Sequence, residues 1–322
     1  MQQIGDAMQD KPLALFGTDL FGDEIKPKQS GVVAERFTFP PFSVLDARQG
    51  EWQERKRAWS QLGIRGEVGR DDSLTYTGAS GSLDFYRLKE GKTESSIEQG
   101  TSIFDPNICE LAYRWFSPEN GQVVDPFAGG SVRGIVAGSI GRKYWGSDLR
   151  QEQIDANRKQ AEEIKPQVMP EWVCGDSMET LESAPDADLI FSCPPYGDLE
   201  VYSDLPNDLS NMDYHSFLAA YKRIILRAVN KLKDDRFAVF VVGDFRCKKG
   251  FYRNFVSETI NAFEECGARL YNEAILVTSV GSASMRVTKQ FASGRKFAKT
   301  HQNVLVFCKG DWRKASIACG EI

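Results

Sequence analysis

The chain has 322 residues, of which 41% are hydrophobic and 26% are charged, and its formal net charge is −5. This composition is typical of a globular protein, and no apolar run reaches the roughly 20 residues that a membrane span needs. The seven cysteines are scattered without a Cys-x-x-Cys pair and there are two histidines, so we expect reduced thiols, a cytoplasmic protein and no metal site.

Residues 1–100 are predicted to form an N-terminal extension that is partly irregular and a possible DNA contact. Its start is weakly patterned and lacks the charged end and long apolar core of a secretory signal. Trp52 and Trp59 recur at helical spacing, which predicts one helix near residues 50–62. Residues 65–100 are rich in Gly, Ser, Thr and charge, as is typical of a linker or a long surface loop.

Strands and helices alternate over residues 101–312, which predicts one α/β domain, and residues 313–322 are predicted to be a C-terminal tail. Seven strands are predicted: Gln122–Asp125, Tyr144–Ser147, Glu171–Cys174, Leu189–Ser192, Phe237–Val242, Glu273–Val280 and Asn303–Cys308. The alternation predicts a doubly wound, mainly parallel sheet. In such sheets ligands bind beyond the carboxyl ends of the strands, so these ends are the places to search for a site.

The first predicted strand ends in Asp125-Pro126-Phe127-Ala128-Gly129-Gly130, where the glycines permit a tight turn and close approach of a ligand. Asp148 closes the second strand, where an acid can accept hydrogen bonds from ribose hydroxyls. Asp176 and Ser177 close the third strand. Each acid alone could be a turn former or a helix N-cap, and a nicotinamide site is an alternative. Three acids at successive strand ends favour a nucleoside ligand.

The fourth predicted strand ends in Ser192-Cys193-Pro194-Pro195-Tyr196. Two consecutive prolines make a stiff turn, and they hold an aromatic face beside the strand end. The turn therefore lies at the same predicted edge of the sheet as the three acids.

These two motifs resemble those of the S-adenosylmethionine-dependent amino-methyltransferases that modify exocyclic amines of DNA bases. Their cofactor motif reads Asp-Pro-Phe-x-Gly-x-Gly and their catalytic motif reads Asp/Asn/Ser-Pro-Pro-Tyr/Phe/Trp. The resemblance covers residues 101–310, and residues 40–59 and 101–150 are also similar to DNA methylases encoded by bacteriophages. It implies a seven-stranded, Rossmann-like methyltransferase sheet, S-adenosylmethionine without a metal as cofactor, and DNA modification of the restriction-modification kind.

The resemblance also assigns a set of cofactor-binding residues. They are Phe104, Asp105, Asp125, Phe127, Gly129, Gly130, Asp148, Asp176 and Ser177. Within this set, Asp148 would take the ribose and Asp176 the adenine, while the turn at Gly129 would line the methionine end. The order of the motifs matches one of the circularly permuted classes of this family.

The resemblance makes Cys193, Pro194, Pro195 and Tyr196 the catalytic residues. Cys193 and the Pro194 carbonyl would accept hydrogen bonds from the target amine, and Tyr196 would stack on a base flipped out of the duplex. Cys193 departs from the family motif, because a thiol is a weak acceptor.

Three interpretations of Cys193 remain open at this point. The thiol or thiolate can act together with the carbonyl. Alternatively, Asp198 or another nearby acid supplies the acceptor. Ser192 is a further hydroxyl that could contribute, although it stands one position too early in the motif. In the third interpretation Cys193 is a covalent nucleophile, as in cytosine C5 methylation, although in that family the cysteine follows the two prolines.

Residues 274–310 contain no Asp or Glu, and the part from 281 to 301 is predicted to be a small, flexible, basic loop. Its cations are the predicted nucleic-acid contacts: Arg286, Lys289, Arg295, Lys296 and Lys299. The sequence therefore predicts a DNA methyltransferase, monomeric or homodimeric, that acts on adenine N6 or cytosine N4. Alternatives are an RNA or protein-glutamine methyltransferase, or a catalytically silent DNA-binding protein of the same fold.

Overall fold

The computed structural model describes residues 32–65, 104–197, 205, 207–281 and 283–321. The chain divides into two compact units, Met1–Pro40 and Pro41–Ile322. The described part of the first unit contains helix α1, Val32–Phe37. The domain boundary predicted at residue 100 falls outside the described ranges and stays a prediction.

Within the described residues, the second unit contains eight strands and the helices that connect them. The strands are β1 Val44–Asp46, β2 Gln122–Asp125, β3 Lys143–Asp148, β4 Glu171–Cys174, β5 Ala187–Ser192, β6 Leu232–Val242, β7 Ala268–Val277 and β8 His301–Lys309. The described helices are α2 Gly50–Gln61, α3 Pro106–Phe116, α4 Val132–Ser139, α5 Gln151–Ile164, α6 Ser177–Thr180, α7 Tyr214–Lys231, α8 Phe255–Glu265, α9 Ala283–Gly294 and α10 Trp312–Cys319. None of the helices in the described ranges is both long and apolar enough to cross a bilayer.

The strands form one sheet in the order β1-β7-β8-β6-β5-β2-β3-β4. Strand β8 runs antiparallel to β6 and β7, and the other pairs are parallel. The predicted fold class, a doubly wound and mainly parallel Rossmann-like sheet, is confirmed. The eighth strand is β1 of the N-terminal segment, which pairs with the last three residues of β7, from Val44 opposite Ile275 to Asp46 opposite Val277.

Alternate residues of the central strands face opposite layers of helices, as the pleat of a strand requires. Phe191 of β5 packs edge-on against Tyr113 of α3, with ring centroids 5.2 Å apart. Phe240 of β6 points to the other face, where its ring packs 4.8 Å from that of Phe263 of α8. Both faces of the sheet are thus covered, and the carboxyl ends of the parallel strands form the accessible edge.

Two predicted loops are helical in the structure. Residues 281–301 are not the flexible loop expected from their small residues, because Ala283–Gly294 forms α9. No proline interrupts this run, and Gly281, whose φ is +49°, stands just before the helix. The predicted tail contains α10, whose N-terminus is capped by Asp311 through the amides of Arg313 and Lys314.

Candidate cofactor and catalytic site

The carboxylate of Asp125, at the end of β2, is fully buried. Its Oδ1 accepts hydrogen bonds from the amide of Phe127 at 3.1 Å and the hydroxyl of Ser192 at 2.5 Å. Its Oδ2 accepts from Nε of Arg133 at 2.6 Å and the hydroxyl of Tyr144 at 2.7 Å. These bonds join three neighbouring strands and α4, so Asp125 fixes the shape of the turn. Its predicted direct contact with a cofactor stays a prediction.

Arg133 is the buried cation beneath this turn, and the sequence analysis did not single it out. Its guanidinium also donates to the carbonyls of Phe127 and Ala128, and it lies 4.8 Å from the centroid of the Phe104 ring. Although burial acts against it, the charge of Asp125 raises the pKa of Arg133 above its ordinary value, and Cys193 adds to this effect. An arginine within the apolar run of α4 was the available signal, since a buried cation needs an anionic partner.

Gly129 and Asp148 meet at the centre of the candidate cofactor site. The amide of Gly129, whose φ is +50°, donates to Oδ2 of Asp148 at 3.0 Å, and the amide of Arg150 donates to Oδ1 at 3.0 Å. A Cβ on Gly129 would make one ordinary van der Waals contact, 3.9 Å from the guanidinium of Arg133, and Gly129 is partly exposed. Burial raises the pKa of Asp148. Each of its oxygens keeps acceptor capacity for a ligand hydroxyl.

The turn after β4 supplies the third acid. Asp176 caps the short helix α6 by accepting from the amide of Met178 at 2.8 Å, and Nδ2 of Asn207 lies 3.3 Å from its other oxygen. The hydroxyl of Ser177 donates to the carbonyl of Pro126 at 2.5 Å. This bond holds the ends of β4 and β2 together. Asp176 is therefore a helix N-cap, as one interpretation of the sequence predicts. Asp148, in contrast, accepts a hydrogen bond from the amide of Gly129 in the glycine turn.

Phe104 and Asp105 lie at the start of α3, close to the end of β5. Asp105 caps α3, and it also accepts from the indole of Trp52 at 3.1 Å and pairs with Lys56 at 3.3 Å. The ring of Phe104 packs edge-on against Phe191, 5.9 Å away. The predicted cofactor residues thus come from four elements that converge on one edge of the sheet.

The candidate catalytic turn follows β5 directly. Cys193 and Tyr196 are partly exposed, whereas Pro194 is buried. The ring of Tyr196 packs edge-on against Phe245 at 6.0 Å and Phe255 at 6.1 Å. Its hydroxyl accepts a hydrogen bond from Nε2 of Gln302, in β8, at 2.9 Å.

Of the two other acceptors considered for the target amine, one is excluded by its position. Ser192 is fully buried and donates its hydroxyl to Asp125, so it does not face the turn. Asp198 lies outside the described residues. Within the ranges that the structure does describe, no group of three or more His, Cys, Asp or Glu is placed to hold a metal ion.

The predicted nucleic-acid contacts separate into two groups. Lys289, Arg295 and Lys296 are exposed on α9 and the segment after it, and the side chain of Arg286 is outside the described part. Lys299 is partly buried, with its amine 3.3 Å from Nε2 of His301. A Cβ on Gly243 would lie 3.4 Å from Cε of Lys299 and 3.8 Å from the hydroxyl of Tyr196. Lys299 therefore lies beside the candidate catalytic turn.

Burial changes the proton affinity of this Lys299–His301 pair. Burial lowers the pKa of Lys299, with Asp244 acting in the opposite direction. Burial also lowers the pKa of His301, and the charge of Lys299 lowers it further. Both side chains therefore lose their protons more readily than exposed ones do.

No protein-family profile matches the chain. Over 78 residues it is 36% identical to the Type II methyltransferase M.HinfI of Haemophilus influenzae. The aligned part is 24% of this chain and 20% of that protein, so the chain spans about a fifth of the length of the curated relative it matches.

Two solved structures illustrate the similarity at the level of fold. TrmN from Thermus thermophilus is 13% identical with a TM-score of 0.44, over 64% of this chain and 49% of that one. The magnesium protoporphyrin IX methyltransferase of Synechocystis PCC 6803, with bound SAM, is 12% identical with a TM-score of 0.41, over 74% of this chain and 95% of that one. The fold assignment follows from the strand order itself.

Proposed function

We propose that this protein is an S-adenosylmethionine-dependent DNA methyltransferase that modifies the exocyclic amine of a flipped adenine or cytosine. The observation that carries the proposal is the convergence of two groups at one edge of the sheet. The Gly129–Asp148 pair lies at the ends of β2 and β3, and the Cys193–Tyr196 turn lies at the end of the adjoining β5. The short similarity to a Type II methyltransferase supports the same class.

The residues at the first group fit the proposed cofactor. Gly129 has no side chain and is partly exposed, so a ligand can approach its backbone closely, and Phe127 is partly exposed as well. Asp148 is held by two backbone amides and offers its remaining lone pairs to ribose hydroxyls. S-adenosylmethionine, when bound, supplies a methyl group that is already activated by the sulfonium.

The second group suits the acceptor amine. The lone pair of an exocyclic amine is delocalised into the base, so acceptors for its two protons would favour a tetrahedral, nucleophilic nitrogen. Cys193 and the carbonyl of Pro194 are the proposed acceptors. Tyr196 would stack on the base, with its ring fixed by Phe245 and Phe255 and its hydroxyl by Gln302. Positioning of the two reactants then supplies much of the rate.

A labelled-methyl assay tests this proposal. The purified chain is incubated with S-adenosylmethionine carrying a labelled methyl group and with unmethylated DNA, and digested nucleosides are identified by mass spectrometry. We expect N6-methyladenine or N4-methylcytosine, and much less product from Tyr196→Ala. RNA and a protein mixture are offered in parallel. Label on either of those alone, 5-methylcytosine as product, or bound cofactor without any labelled acceptor would each refute the proposed reaction.

A further inference from the structure

The turn after β6 is a compact basic hairpin that the sequence analysis did not single out. It reads Arg246-Cys247-Lys248-Lys249-Gly250-Phe251-Tyr252-Arg253, with four cations, two aromatic residues and no acid. Arg246 and Tyr252 form an antiparallel bridge. The amide of Cys247 donates to the carbonyl of Phe251 at 2.8 Å, and Gly250, whose φ is +90°, closes the turn. We call residues 246–253 the basic hairpin.

Internal contacts hold the basic hairpin in one shape. The guanidinium of Arg246 lies 3.8 Å from the centroid of the Tyr252 ring and donates to the carbonyl of Gly250 at 2.9 Å. Arg253 lies 4.1 Å from the centroid of the Tyr214 ring, and its amide donates to the carbonyl of Phe245 at 2.9 Å. A surface loop fixed in this way loses little conformational freedom when it binds a partner.

The residues at the tip of the hairpin point outward. The side chain of Phe251 is 73% exposed, and Lys248 and Lys249 are both exposed. Among the described residues, no carboxylate lies within 4.0 Å of either lysine amine. The tip therefore presents one exposed aromatic ring next to two exposed lysines.

The hairpin adjoins both the candidate catalytic turn and the basic segment after α9. The Phe245 ring, just before the hairpin, packs against Tyr196. On the other side, a Cβ on Gly250 would lie 2.6 Å from the amine of Lys296, so this amine rests against the hairpin. The neighbouring Phe297 is 75% exposed. The hairpin thus contacts the basic segment after α9 through Lys296, and Phe245, the residue before it, packs against Tyr196.

We propose that the basic hairpin binds the DNA beside the target base, with Lys248 and Lys249 on phosphates and the ring of Phe251 stacked on a base. Exposed aromatic rings between cations are how proteins hold bases and backbone together without reading sequence. An apolar protein partner would leave the two lysine charges unmatched. This inference rests on the proposed function for the identity of the partner.

DNA-binding measurements on three variants test the inference. Fluorescence anisotropy with a labelled duplex is measured over a series of salt concentrations for wild type, Phe251→Ala and the double variant Lys248→Ala/Lys249→Ala. We expect Phe251→Ala to weaken binding about 5- to 150-fold, since base stacking is lost. In the double variant, the negative slope of log K against log salt should become shallower by about 2. Cofactor affinity, measured by calorimetry, should be unchanged in both.

Matched controls are Ile317→Ala, an apolar residue of α10 that is 78% exposed, and Lys143→Ala/Lys159→Ala, two exposed lysines on β3 and α5. Both should bind DNA as wild type does. Wild-type affinity and salt slope in the hairpin variants would overturn the inference, as would failure of the wild-type protein to bind DNA. Wild type that binds DNA through the hairpin but transfers no methyl group would instead refute the proposed function alone.

Discussion

The indole nitrogen of Trp52 lies 3.1 Å from Oδ2 of Asp105, the residue that caps helix α3. Further along both helices, Glu110 is buried and accepts from the indole of Trp59 at 2.9 Å and from Nε of Arg55 at 2.7 Å. The N-terminal segment therefore holds the start of α3, and with it Phe104 at the candidate site. This gives residues 50–61 a structural role in the site.

Arg55→Ala should destabilise the protein by about 1–3 kcal/mol, because a buried carboxylate loses a charged partner. Burial of Glu110 raises its pKa, but Arg55 and Arg114 outweigh this and the pKa is lowered overall. A lowered carboxyl pKa stabilises the fold above the ordinary value of 4.5, and this contribution is lost as the pH falls through the lower folded value. Denaturant unfolding of both proteins at neutral and acid pH measures the difference.

The difference in free energy of unfolding between wild type and Arg55→Ala should become smaller at acid pH, where Glu110 is protonated in the unfolded state. Arg57→Ala, on the exposed face of the same helix, is the control and should be close to wild type. Equal stability of Arg55→Ala and wild type at neutral pH would show that this ion pair does not hold α3.

Asp148→Ala should weaken S-adenosylmethionine binding by about 1–3 kcal/mol through loss of charge-assisted hydrogen bonds to ribose. The pKa of Asp148 is raised, so the carboxylate becomes protonated at a higher pH than an exposed aspartate does. Wild-type affinity should therefore fall as the pH is lowered through this raised value. Calorimetry at a series of pH values should show this fall in wild type and not in Asp148→Asn. Full affinity in a folded Asp148→Ala would remove the assignment.

The partly buried Lys299 should behave differently from the exposed Lys296. Lys296→Ala should weaken DNA binding equally for all sequences. It should also make the negative slope of log K against log salt shallower by about 1. Lys299→Ala should in addition lower the rate of methyl transfer at saturating DNA, because the end of its side chain lies beside Gly243, close to the Tyr196 hydroxyl. Single-turnover rates measured beside anisotropy separate the two effects. Equal single-turnover rates and equal DNA affinities in the two variants would contradict a separate role for Lys299 beside the catalytic turn.

The central strands of the sheet can be predicted from the sequence, whereas the short edge strand β1 and helix α9 cannot. Strands β2 to β5 are apolar runs between turn residues, and such runs are recognisable without the fold. Strand β1 has only three residues, and it exists because the edge of β7 offers it hydrogen bonds. The small residues of Ala283–Gly294 predict a flexible loop, but this run contains no proline and forms helix α9.

In the candidate site, too, features set by neighbouring residues can be predicted from the sequence, whereas contacts between distant residues cannot. The turns at Gly129 and Tyr196 are local, and their residue types alone predict them. The bond from Gln302 to Tyr196 joins residues 106 positions apart, and the Asp125–Ser192 bond joins residues 67 apart. Contacts at such separations depend on strand order, which one sequence does not specify.

The chemistry of Cys193 can be decided by one substitution. Cys193→Ser offers an oxygen acceptor and restores a residue of the family motif, so it should retain or increase methyl transfer. Tyr196→Ala should lose about 1–3 kcal/mol of base stacking and most turnover while keeping cofactor affinity. Tyr196→Phe, which keeps the ring and removes the hydroxyl that accepts from Gln302, is its matched control and should keep most of the activity. These effects are measured as labelled methyl transfer to DNA.

A covalent nucleophile predicts the opposite result for the cysteine. Serine would then abolish turnover, and the wild-type protein would be trapped by fluorinated cytosine in the target site. Because Cys193 is partly exposed at the end of β5, the serine variant should fold normally, and calorimetric binding of the cofactor verifies this. A Cys193→Ser protein that binds cofactor but transfers no methyl group would therefore refute the amino-methyltransferase mechanism.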